Sequence, residues 1–60
     1  SMLPINEIRE MRRMGEICKV KYVSLKGIPF HKYFHDEKEM KKFTEEAKAV
    51  GTKFVSIEMI

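Results

Sequence analysis

Sixty residues, a formal net charge of +3, 43% hydrophobic and 35% charged side chains, and one cysteine set narrow limits on this chain. The length allows one domain, the composition is that of a folded chain rather than a disordered tail, and no apolar run approaches the roughly 18 residues of a membrane span. Cys18 alone excludes an internal disulfide, zinc-type Cys/His spacing is missing, and no signal-type apolar segment stands at the start, so a reduced, cytoplasmic setting is expected. A domain this small buries only about 60% of the surface its unfolded form exposes, and self-association is the support left once disulfide and metal are set aside. Ser1-Met2 reads as a tag remnant ahead of a start methionine.

The stretch "LPINEIREMRRMG" predicts a helix over 4–14. Pro4 suits a first helical turn, although Asn6 is an alternative N-cap, and Gly15 suits the left-handed position that ends a helix. Ile5, Ile8 and Met11 form an apolar stripe, with Arg9, Arg12 and Arg13 mostly off it. About three turns are marginal alone, so this helix must dock. A strand is expected over 16–25, where Ile17, Val20, Tyr22, Val23 and Leu25 are strand formers, then a tight turn at Lys26-Gly27 and a second strand over 28–35. Pro29 has no N–H to donate and places the second strand at an edge. Asp36 as N-cap with Glu39 three residues on, a stripe of Met40, Phe43, Ala47 and Val50, and Gly51 at the end predict a helix over 37–50. A third strand over 52–60 alternates Val55, Ile57 and Met59 with Phe54, Ser56 and Glu58.

The fold class is therefore α+β, one small domain of order α-β-β-α-β with a mainly antiparallel three-stranded sheet. The strand order 2-1-3 is favoured because it leaves the proline-bearing strand outside. The second helix covers one face. Either the first helix or a second copy of the chain covers the other.

His31 and His35 are four residues apart, a spacing that on a helix lets two imidazoles share a zinc ion. In a strand the same spacing separates them by roughly 13 Å, too far for one ion held at about 2 Å, so no metal or other cofactor is expected. Pairing across a two-residue Lys26-Gly27 loop sets Leu25 opposite Ile28 and Val23 opposite Phe30 on one apolar face that Phe34 joins. The opposite face receives Tyr22 against His31, Val20 against Tyr33 and Cys18 against His35, an aromatic, amphipathic composition that suits a protein interface or a small second core. Cys18 beside His35 is the only conceivable nucleophile pair, and without an oxyanion arrangement or convergent carboxylates no enzyme is expected. Arg9, Arg12, Arg13, Lys19, Lys21 and Lys32 with Tyr22 and Tyr33 also suit a nucleic-acid surface, the alternative reading.

In size, single-domain economy, richness in methionine and lack of catalytic groups, the chain resembles small phage-encoded proteins that block bacterial immune systems. Among these it resembles the inhibitors of the Hachiman defence system, a helicase and nuclease pair. The resemblance covers the whole chain in style and rests on no motif. It implies a non-enzymatic inhibitor in the cytoplasm of the bacterial host, a homodimer that binds a host defence protein, with no membrane partner. Tyr22, His31, Tyr33 and His35 are the expected contact residues, followed by Arg9, Arg12 and Arg13 as directional contacts to an acidic partner.

Overall fold

A computed structural model describes residues 3–60; the Ser1-Met2 dipeptide lies outside the described residues. The chain runs α1 (Ile5–Arg13), β1 (Cys18–Val23), β2 (Pro29–Phe34), α2 (Glu37–Ala49) and β3 (Lys53–Met59). The strands form an antiparallel sheet of order β2-β1-β3, so the proline-bearing strand is indeed outermost. Each element is shorter than its apolar pattern suggests, α2 by its last residue alone and β1 at both ends, because caps and turns take the ends.

Those caps are local. The Asp36 carboxylate accepts hydrogen bonds from the Lys38 and Glu39 N–H groups at 2.7 and 3.3 Å, satisfying two of the donors that open α2. Both helices close in the same way: Gly15 N–H donates to the Arg12 carbonyl and Glu16 N–H to that of Met11, while Gly51 N–H donates to Lys48 and Thr52 N–H to Ala47. Pro4, rather than Asn6, is the N-cap of α1, and its carbonyl accepts from Ile8 N–H at 3.0 Å.

The β1–β2 hairpin departs from expectation by one residue. Its loop is Leu25-Lys26-Gly27, three residues rather than two. Gly27 N–H donates to the Ser24 carbonyl and Ser24 N–H to that of Ile28, with Gly27 at φ 80°, a value that favours glycine. The register is therefore Tyr22 to Phe30, Val20 to Lys32 and Cys18 to Phe34, with Lys21 against His31 and Lys19 against Tyr33. Because strand side chains alternate, that single extra residue turns all of β2 over relative to β1.

One face now carries Cys18, Val20, Tyr22, Phe30, Lys32 and Phe34, and α2 packs on it. Cys18, Val20, Phe34 and Met40 are buried together, and Ile17, Tyr22, Phe43 and Phe54 pack against them. Tyr22 is the hub of the aromatic part, with ring centroids 5.7 Å from Phe30, 5.4 Å from Phe43 and 6.5 Å from Phe54. Val50, expected in the α2 stripe, instead caps the helix and is exposed. On β3 one extra residue, Val55, interrupts pairing with β1: Lys21 partners Ser56 while Tyr22 partners Phe54. This bulge breaks the simple alternation of Val55, Ile57 and Met59 and moves Val55 to the α1 face.

Replacing Gly27 by alanine tests the loop. Nothing lies within 4 Å of the Cβ it would gain, so the cost is the left-handed backbone alone. Gly27→Ala should destabilise by about 1–2 kcal/mol, seen as a lower urea midpoint at unchanged slope.

Candidate protein-contact surface

The register separates the residues that the sequence grouped together. Tyr22 lies on the α2 face among phenylalanines, whereas His31 and Tyr33 lie on the α1 face, their rings 5.5 Å apart edge to face. His35 follows the end of β2, exposed, with Nε2 3.8 Å from Glu39 Oε2 on the first turn of α2. The expected four-residue aromatic and histidine face therefore does not form. Arg9, Arg12 and Arg13 are exposed on α1, and Arg13 is held in an ion pair by Glu10.

What joins α1 to the sheet is a residue that the apolar stripe did not mark. Ile5 is exposed, while Glu7 and Met11, four apart on one helix face, turn inward, and Met11 is fully buried. Glu7 Oε2 accepts from Lys19 Nζ at 2.5 Å and from the Tyr33 hydroxyl at 2.8 Å. The Lys19 side chain is only 9% exposed, so this is a partly buried clamp rather than a surface ion pair. The pull of Lys19 first, and of the Tyr33 hydroxyl next, holds the Glu7 carboxyl below its ordinary value. The same bond raises Lys19, and burial followed by the bond to Glu7 raises the Tyr33 hydroxyl. The first helix thus covers part of the second face through a polar contact, and Leu3 and Met11 are also buried.

The exposed apolar surface lies at the hairpin end of the α2 face. Leu25, Ile28, Phe30 and Val50 surround one edge of Tyr22 and, with Ser24, Lys26 and Thr52, line an open cleft of about 430 Å³. Leu25 is 72% and Val50 63% exposed, so neither position is spent on the core. Lys26 lines the cleft, and no Asp or Glu is among the residues that line it. Sequence reading assigned Leu25 and Ile28 to a core face; their position beside a loop, where α2 has already ended, was the signal against it.

The chemistry available elsewhere is limited. Cys18 is fully buried opposite Phe34, not beside His35, and burial, with Glu37 adding to it, pushes its thiol above the ordinary value, where it behaves as a small apolar group. Among the described residues no group of three or more His, Cys, Asp or Glu side chains is placed to hold a metal ion, and no helix is long and apolar enough to cross a membrane. No family model, curated protein or solved structure matches the chain.

The clamp sets a pH response. Because the folded-state carboxyl of Glu7 is lowered, its contribution is fully present above the ordinary value of 4.5 and is lost as pH falls through the lowered one. Thermal midpoints of the parent and Glu7→Gln should therefore differ most at neutral pH, the parent being higher, and converge as pH falls from about 5 to 3.

Proposed function

We propose that this chain is a non-enzymatic protein-binding module, an inhibitor of a bacterial defence complex that holds one of its proteins through the hairpin-end cleft. The observation that carries this reading is the cluster of exposed apolar side chains, Leu25, Ile28, Phe30 and Val50, gathered around Tyr22. Scattered exposed apolar residues need no explanation, but a contiguous group with a lysine at its margin has the make-up of an interaction site. An apolar anchor filling the cleft gives most of the affinity, and acidic neighbours around it find Lys26. The partner surface is therefore acidic with a protruding apolar side chain. Arg9 and Arg12, exposed on α1, are secondary contacts. The class of target, a helicase and nuclease pair of the Hachiman type, comes from the resemblance in size and style and from no residue match.

Several observations weigh against the nucleic-acid reading. Lys19 is committed to Glu7, Lys21 and Lys32 stand on opposite faces of the sheet, and Lys32 sits 5.4 and 5.0 Å over the Phe34 and Phe43 rings. Tyr22 is packed among three phenylalanines rather than presented for stacking.

Phage plaquing on cells carrying the helicase and nuclease pair tests the proposal. The parent chain should restore plaquing by orders of magnitude, and Leu25→Asp, at an exposed loop position, should lose this effect while remaining folded by circular dichroism. A parent that leaves the defence intact removes the inhibitor reading. Binding of labelled single-stranded DNA and double-stranded RNA across roughly 50–500 mM salt addresses the rival, because phosphate-dominated affinity must fall steeply over that range. The expected result is no binding even at the low-salt end.

A further inference from the structure

The geometry points to a small-molecule site around Lys21 and His31 on the α1 face, which takes an oxyanion carried on an apolar body, a carboxylate or phosphate on an aromatic ring. It stands apart from the hairpin-end cleft and does not depend on a protein contact made there.

Residues that share a sheet face recur every second position along a strand. On the α1 face, Lys19 and Tyr33 form one opposed pair and are bound by Glu7 of α1; the next pair toward the hairpin is Lys21 opposite His31. Together with Tyr22, Pro29, Phe30 and the bulged Val55, Lys21 and His31 line an open hollow of about 350 Å³. That is the size of a small-ligand site. Four of the six lining residues are apolar or aromatic, and the other two both offer N–H groups, His31 in either protonation state. Directly opposed strand residues hold their Cβ atoms about 5 Å apart, so both donors reach a single bound group. The imidazole is also set in place. Its ring meets that of Tyr33 edge to face at 5.5 Å, and the Tyr33 hydroxyl is in turn held by Glu7.

The charge of this pair is not balanced from within. Lysine opposite histidine brings no attraction of its own and is repulsive whenever the imidazole is charged. No Asp or Glu lines the hollow, and among the described residues neither Lys21 nor His31 enters a salt bridge. Glu7 feels the charge of Lys21, but its Oε2 already accepts from Lys19 and from the Tyr33 hydroxyl. A local pairing that works against the sheet is expected where a ligand resolves it, and an oxyanion between the two donors does so. The rest of the wall selects what the oxyanion is attached to. Val55 is 68% and Phe30 47% exposed, so a bare inorganic ion leaves apolar surface in water that an aromatic ring covers. With one lysine and one histidine as its polar lining, the hollow takes one anionic group rather than a run of phosphates.

Amide NMR titration of the whole chain with phenyl phosphate and with phenylacetate, beside inorganic phosphate and benzyl alcohol, tests the site. A ligand of about ten non-hydrogen atoms at ordinary efficiency has a dissociation constant of about 1 mM. At least one of the two aryl anions should give saturable shifts centred on Lys21, His31 and Val55, and the tighter of them names the preferred oxyanion. Inorganic phosphate and benzyl alcohol, each with half of the match, should bind about tenfold more weakly or less. Lys21→Gln should weaken the aryl anion by about tenfold through loss of a charge-assisted hydrogen bond, whereas Lys26→Gln, in the cleft on the other face, should leave its affinity unchanged. Both lysines are exposed, and circular dichroism checks that both variants are folded. The proposal is overturned by the lack of a saturable shift for either aryl anion up to about 20 mM, by shifts centred elsewhere, by a folded Lys21→Gln that binds like the parent, by a Lys26→Gln that weakens binding as much, or by inorganic phosphate or benzyl alcohol binding as tightly as the aryl anions.

Discussion

The backbone of Gly27 turns left-handed, and through that residue the loop between β1 and β2 closes over three residues. The phase of β2 against β1 follows from this count. With three residues, Tyr22 meets Phe30 and joins the rings beneath α2, and Tyr33 meets Lys19 and is offered to α1. With two, Phe30 and Phe34 would leave the face of Tyr22 and Tyr33 would leave that of Lys19, so neither the aromatic cluster nor the polar clamp would form. Without a bulge a strand cannot absorb a half-step, since its side-chain period is two. The turn thus decides which helix packs where.

The two helices dock by different physics. α2 brings Met40 and Phe43 onto Cys18, Val20 and Phe34, an apolar contact that needs no partner atoms in fixed directions. α1 brings a carboxylate onto a lysine and a phenol. Such a contact adds little net stability over an apolar one of the same volume, since desolvating Glu7 and Lys19 offsets much of their attraction. It does fix orientation, because one carboxylate oxygen receives both donors. Breaking it leaves Lys19 nearly buried without its counter-ion, which makes α1 sensitive to the state of a single carboxyl.

Element order, strand order and the helix ends were legible because each is written locally: Asp36 before an acidic first turn, Gly15 and Gly51 after the last, Pro29 where a strand must be an edge. The faces were not, because they depend on a residue count across a loop whose sequence, Ser-Leu-Lys-Gly, suits either length. A signal was present in Ser24, whose hydroxyl accepts from Ile28 N–H at 3.2 Å and helps close the longer loop. The α1 stripe misled for a different reason. Ile5, Ile8 and Met11 satisfy a three-residue spacing, but the inward line runs through Glu7 and Met11, and a charged residue on that line looks like an interruption until its two partners are in place. The contact surface was the least legible part, since Leu25, Ile28 and Val50 read as core until α2 is seen to end short of the hairpin.

A three-stranded sheet with two short helices has more apolar surface than it can cover. On the α2 face the uncovered part falls in two places, the hairpin-end cleft beside Tyr22 and the β3 margin with Ile57 and Met59.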